Sequence, residues 1–173
     1  CEFLLSHSES ILQRNPERIR EVVRWTVQIK LDHVQEDVRE KGVRLYLNYG
    51  HTIGQSIEMA TSTGNEIYRH GEAVCLGMAA AAHLADHYYD DGLDRVGHHR
   101  QLLEAFHLPF SIDMSQIAVD LPTLEGMIYE NLKKDKKRIA AGLRFVLVSE
   151  LGSAKTVTGI EDRMIRAAIK SLF

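Results

Sequence analysis

The chain has little cysteine: Cys1 and Cys75 are its only two. That is too few for the disulfide framework of a small secreted protein, so an intracellular, cytoplasmic setting is expected. It has no excess of positive charge. Its 21 lysines and arginines against 24 aspartates and glutamates leave a formal net charge of −3, which offers no basic field for nucleic acid and no polybasic patch for a membrane surface. Long apolar runs are missing too. The longest, Ala73 to Ala82, is broken by Gly77 and falls well short of the ~20 residues that span a bilayer. No signal peptide is expected ahead of the first helix, and no repeat, low-complexity tract or internal linker divides the chain.

What is present is an ordinary globular composition. With 173 residues, 45% hydrophobic and 26% charged, the chain can form one domain over residues 1–173 with a real core. It lacks an initial Met and opens within what reads as a helix, Cys1-Glu-Phe-Leu-Leu, as expected of a piece cut from a longer protein.

Periodicity predicts an all-α, multi-helix bundle with one short β-hairpin. Asn15-Pro16 supplies a cap and a first-turn proline and Gly42 a stop, so a helix is expected near 16–41. Its inner stripe would be Ile19, Val23, Val27, Lys30, Val34 and Val38. Lys30 interrupts that stripe, either snorkelling to the edge or pointing into a polar site. Further helices are expected over 52–61, 72–88, 93–106, 121–133 and 161–172. The 72–88 helix is apolar nearly all round and so should be central. Leu143-Arg-Phe-Val-Leu-Val148 and Lys155-Thr-Val-Thr158 alternate around Leu151-Gly152 as a hairpin does.

The chemistry concentrates in two motifs, Asn48-Tyr-Gly-His51-Thr-Ile-Gly-Gln55-Ser-Ile-Glu58 and His70-Gly-Glu72-Ala-Val. Each places a histidine at the mouth of a helix rich in small residues. Two imidazoles held this way suit a divalent metal such as zinc, although a catalytic zinc normally takes three protein ligands. Nine histidines in one chain will form some pairs by chance, and turn or capping histidines are common. Here the neighbours add weight: Asn48, His51, Gln55 and Glu58 recur at steps of three and four, and Arg44 precedes them. A guanidinium and a carboxamide beside an imidazole suit an oxyanion or polyhydroxylated ligand. Glu72 reads as a helix-dipole or supporting carboxylate. The run Lys133-Lys134-Asp135-Lys136-Lys137-Arg138 reads, taken alone, as a solvated helix end.

The ordered set Lys30, Glu40-Lys-Gly42-Val-Arg44, Leu47-Asn48-Tyr-Gly-His51-Thr-Ile-Gly, Ile57-Glu58, His70-Gly-Glu72-Ala-Val, Gly77-Met78 and Asp135-Lys136-Lys137 resembles the C-terminal domain of the 3-dehydroquinate synthase family. These are sugar-phosphate cyclases related in fold to glycerol dehydrogenase and the iron-dependent alcohol dehydrogenases. The resemblance covers nearly the whole chain. It implies a C-terminal helical domain of a two-domain enzyme whose Rossmann-like, NAD-binding N-terminal half is absent here, with a divalent metal (zinc or cobalt) in the cleft between the halves. It implies a homodimer when full length. The implied reaction is that of a carbon–oxygen lyase, converting 3-deoxy-D-arabino-heptulosonate 7-phosphate to 3-dehydroquinate and phosphate in the shikimate pathway of aromatic amino-acid biosynthesis.

Carried over by residue, His51 and His70 are the implied metal ligands. The third, a glutamate, lies upstream of Cys1. Lys30, Arg44, Asn48 and Lys136 are implied in catalysis. Substrate binding is implied for the same four together with Glu40, Gln55 and Lys137, with Lys136 and Lys137 left as alternatives for the substrate lysine. Glu40 would orient Lys30 or Arg44. No residue of this chain is implied to bind NAD, and no glycine-rich dinucleotide turn occurs in it.

One position departs. The family usually carries a second histidine four residues after the first metal ligand, and this chain has Gln55. Glutamine hydrogen-bonds in both senses but does not titrate near neutral pH. Either elimination relies on the substrate's own phosphate as base, or the enzyme is a specialised cyclase of the 2-deoxy-scyllo-inosose or epi-valiolone type. A reading of another class is a non-catalytic helical module that binds a partner through its basic cluster. It would leave Lys30, Arg44, Asn48, His51 and His70 scattered, whereas an enzyme gathers them.

Overall fold

In the computed structural model the described residues are 1–62, 66–138 and 142–173, with the side chains of 135–138 outside the description. Two short helices, α1 (Glu2–Ser6) and α2 (Ser8–Leu12), lead into α3 (Pro16–Glu36). Asn15 caps α3 by accepting from the backbone N–H groups of Glu17 and Arg18, and Pro16 opens its first turn. A 3-10 segment, Val43–Asn48, precedes α4 (His51–Thr61) and α5 (His70–Tyr89). After α6 (Arg95–Ala105) and a 3-10 turn, Met114–Gln116, comes α7 (Leu121–Arg138). The antiparallel pair β1 (Arg144–Glu150) and β2 (Ser153–Thr158) follows, and α8 (Asp162–Lys170) closes the chain. The expected class, a helical bundle with one hairpin, is what forms. No helix among the described residues is long and apolar enough to cross a membrane.

The core is built from α4, α5, α7, α8 and the inner face of β1. Ile57, Leu76, Leu84, Leu124, Leu147 and Ile169 are fully buried in it, each contributing about 1.5–3 kcal/mol of transfer free energy. Helix α5 is central, with ten buried residues that are mostly alanine. Small side chains let α4 approach it closely. A Cβ on Gly77 would overlap the Gly50 carbonyl oxygen and lie 2.6 Å from the Gly54 nitrogen. The hairpin pairs Arg144 with Thr158 and Phe145 with Val157, and breaks register between Val148 and Glu150.

Three expectations need correction. Helix α3 stops at Glu36, not near 41, because Asp37 captures the chain: its carboxylate accepts from the backbone N–H groups of Lys41, Gly42 and Arg44. Those bonds also hold the carboxyl below its usual pKa. The stripe expected to face inward does not. Ile19, Val23 and Val27 are 37%, 53% and 52% exposed, and Val38, past the helix end, is 71% exposed. Lys30 is exposed and Val34 only partly covered. Periodicity identifies residues that share a face, but not what covers that face, and among the described residues α3 meets α2, the Val43–Asn48 segment and, through Trp25 against Phe3, α1. Finally, α7 continues to Arg138, past the expected bound at residue 133, and the basic run forms the helix end as expected.

Candidate active site and metal centre

His51 and His70 are the first residues of α4 and α5. Gly50 places the first of them. Its φ of 77° is left-handed, and a Cβ there would meet Met78 Cγ at 2.6 Å and the Val74 carbonyl at 2.7 Å, so only glycine lets the chain turn into α4 against α5. At the start of α5 the Glu72 carboxylate accepts from the Arg69 backbone N–H at 2.8 Å, which makes Glu72 a cap rather than a ligand.

The two imidazoles meet edge to face, with ring centroids 5.4 Å apart and planes at 60°. Nδ1 of His51 lies 3.2 Å from the Tyr49 carbonyl oxygen, and Nδ1 of His70 lies 2.8 Å from Glu58 Oε2. A proton on each Nδ1 satisfies both contacts and leaves each Nε2 lone pair available, the arrangement found behind metal-bound histidines. Two rings sharing one tetrahedral ion at about 2.1 Å from each nitrogen would have centroids about 5 Å apart. The donor set therefore fits a zinc-like ion on two of its positions. Among the described residues no group of three or more histidine, cysteine or acidic side chains is gathered, so further donors must come from elsewhere. The His70 side chain is 56% exposed, open to such a donor.

Behind His51 the support is rigid. The Tyr49 hydroxyl bonds His99 Nε2 at 2.8 Å, and His99 Nδ1 bonds the Arg95 carbonyl at 2.7 Å. Burial lowers the His99 pKa and raises that of Tyr49, so both stay neutral near pH 7. Arg95 is wholly buried. It donates to Asp86 at 3.2 Å, to Asp91 at 2.7 Å, and to the Val148 and Ser149 carbonyls at 2.7 and 2.6 Å. This ties α6 to β1, and the guanidinium holds the Asp91 carboxyl far below its usual pKa.

Beside His51 opens a cavity of about 260 Å³ lined by Asn48, His51, Thr52, Gln55, Leu143 and Arg144 among others. Asn48 Nδ2 donates to Glu40 Oε1 at 3.0 Å, and Glu40 Oε2 lies 3.9 Å from Arg44 Nε. Arg44 also donates to the Val38 carbonyl at 3.1 Å. The structure thus joins Glu40, Arg44, Asn48, His51, Gln55 and His70 in one region. Lys30 is not joined to them: it projects from α3 without a hydrogen bond or ion pair among the described residues. The Lys136 and Lys137 side chains lie outside the described residues.

Sequence reasoning missed three contributors. Glu58, noted for its spacing and within the resemblance but given no role, holds His70. Thr52 Oγ1 donates to the Arg144 carbonyl at 3.0 Å, bringing the hairpin onto α4, and Arg144 lines the cavity. Of these, only Glu58 carried a signal, its helical step from Gln55.

Comparison with known proteins identifies the family. Residues 1–138 match the family described as 3-dehydroquinate synthase C-terminal. A 3-dehydroquinate synthase of Geobacter metallireducens is 38% identical over 85% of this chain and 38% of its own length. That of Methylococcus capsulatus is 34% identical over 97% of this chain and 44% of its own. The chain therefore spans less than half the length of these curated relatives. Among solved structures, a 2-epi-5-epi-valiolone synthase from Streptomyces hygroscopicus with NAD+ and Zn2+ bound superposes with a TM-score of 0.78 at 25% identity, covering 99% of this chain and 45% of that one. A 2-deoxy-scyllo-inosose synthase complexed with carbaglucose-6-phosphate, NAD+ and Co2+ gives 0.73 at 26% identity, covering 91% and 42%. With its helical fold, its paired histidines and these relatives, the chain belongs to the 3-dehydroquinate synthase C-terminal family.

Proposed function

We propose that this chain is the metal- and substrate-binding part of a 3-dehydroquinate synthase, working with an NAD-binding half to turn 3-deoxy-D-arabino-heptulosonate 7-phosphate into 3-dehydroquinate and phosphate. The observation that carries the reading is the His51–His70 pair, 5.4 Å between rings, beside a cavity lined by carboxamides and a guanidinium. The family membership and the curated relatives supply the reaction.

In this reading Nε2 of His51 and of His70 hold a zinc or cobalt ion, with a third ligand from the glutamate that the resemblance places before Cys1. When bound, the ion polarises a substrate hydroxyl and lowers its pKa, and NAD supplies the transient oxidation. The chain's own residues bind and orient. Glu58 and the Tyr49 carbonyl fix the two imidazole tautomers. Asn48, oriented by Glu40, donates to a substrate hydroxyl. Arg44, Lys30 and Lys136 or Lys137 neutralise the carboxylate and phosphate. Gln55 would hydrogen-bond the leaving phosphate but cannot accept a proton, so the phosphate itself takes the proton removed from the carbon beside the transient ketone as its C–O bond breaks.

A second reading has one observation in its favour: Gln55 lies in the cavity wall where the family usually carries histidine, which suits a specialised cyclase acting on another sugar phosphate. Phosphate release by the full-length protein separates the two. Heptulosonate 7-phosphate, glucose 6-phosphate and sedoheptulose 7-phosphate are compared in parallel with NAD and zinc. Preference for heptulosonate phosphate supports the synthase, and preference for either of the others overturns it.

A further inference from the structure

Among the described residues, Arg144 is the one cationic side chain in the cavity wall, and none of those lining it is acidic. Its backbone is fixed: the carbonyl accepts from Thr52 Oγ1 at 3.0 Å, the residue pairs with Thr158 across the hairpin, and Phe145 and Leu147 beyond it are buried. The side chain, by contrast, is uncommitted, with no hydrogen bond or ion pair among the described residues. Of the neighbouring arginines, Arg44 contacts Glu40 and the Val38 carbonyl, and the buried Arg95 is fully taken up by two aspartates and two carbonyls. Helix α4 also starts at the cavity without a side-chain cap, which leaves its first N–H groups and positive dipole end facing the same space. Leu45, Leu143 and Val146 add apolar wall, which strengthens a charge beside it.

We propose that Arg144 binds the phosphoryl group of the substrate, its guanidinium engaging two phosphoryl oxygens while the Gln55 carboxamide donates to the third. A planar fork matches a phosphate in a way a lysine ammonium does not. The placement sets the phosphate one turn along α4 from His51, so the metal-facing hydroxyls and the leaving group occupy opposite ends of one cavity. The assignment rests on reading that cavity as the substrate site.

The test uses the full-length enzyme with NAD and zinc, comparing wild type with Arg144→Gln and Arg144→Lys. The KM for heptulosonate 7-phosphate is expected to rise about 10- to 100-fold in Arg144→Gln, with a smaller rise in Arg144→Lys and a smaller change in kcat than in KM. The inhibition constant of inorganic phosphate should weaken in the same order, with zinc content and melting temperature unchanged. Unaltered KM and unaltered phosphate inhibition in Arg144→Gln would overturn the assignment, as would the same result in Arg144→Lys if the glutamine variant does not fold. Protection of each protein against thermal unfolding by inorganic phosphate is measured alongside. If the wild type turns over none of the sugar phosphates, the proposed function fails. Phosphate protection that depends on Arg144 would still support the anion site, and protection equal in all three proteins would overturn it.

Discussion

At the residue scale the site depends on which nitrogen of each imidazole carries the proton. Glu58 sets this for His70 through a 2.8 Å contact. Glu58→Ala in the full-length protein should weaken zinc binding about 10- to 100-fold while leaving the fold intact. Competition with a chelator reads this directly, and an unchanged zinc affinity would remove Glu58 from the site. His99 supports a second prediction. Burial depresses its folded pKa below the ordinary 6.5, so it folds neutral, with Nδ1 donating and Nε2 accepting. A depressed folded pKa means the unfolded chain binds the extra proton first as pH falls. The stability His99 contributes is therefore complete above about pH 6.5 and lost as pH drops through the folded value. His83, also depressed by burial, acts in the same direction. Thermal midpoints measured from pH 7.5 to 5 should fall less steeply for His99→Gln than for wild type. Equal slopes would show that His99 does not carry this dependence.

At the element scale the close packing of α4 on α5 brings His51 to His70. Gly77 has no room for a methyl group against the Gly50 carbonyl. Gly77→Ala should therefore cost about 1–3 kcal/mol from overpacking and loosen zinc binding too, because the strain falls at the turn that leads into His51. A melting temperature and zinc content equal to wild type would contradict this account of the interface. The elements themselves were largely legible in the sequence. His51 and His70 sit at helix starts as their motifs implied, and Leu143 to Thr158 alternates and forms a hairpin. The face of α3 was not legible. Ile19, Val23 and Val27 share a side of the helix, yet the burial that would make that side a core depends on neighbours the periodicity does not contain. The early stop at Glu36 was hidden as well, since it depends on Asp37 bonding three amides downstream.

At the scale of the whole molecule, the candidate site was half legible. Asn48, His51 and Gln55 lie close in sequence on consecutive turns, so spacing alone could group them. Arg144 joins them only through the tertiary contact of the hairpin with Thr52, which no local pattern encodes. The account also makes this chain dependent on another half for NAD and for a third metal ligand. The 173-residue chain alone is therefore expected to show no NAD-dependent phosphate release, and turnover by the purified chain would mean the cofactor site has been misplaced. Gln55→His in the full-length enzyme should keep or raise its activity on heptulosonate phosphate, by at most the roughly 10²–10⁴-fold a positioned acid–base group contributes. Loss of activity would show that the glutamine is matched to a different substrate.

The central claim, that His51 and His70 together hold the catalytic metal, is tested most directly by the zinc content of the full-length protein and its His51→Ala and His70→Ala variants after dialysis against a weak chelator. The account predicts one zinc per wild-type chain and loss of tightly bound zinc from both variants, because removing one of three ligands leaves the ion loosely held. Stoichiometric zinc retained by either variant would contradict it.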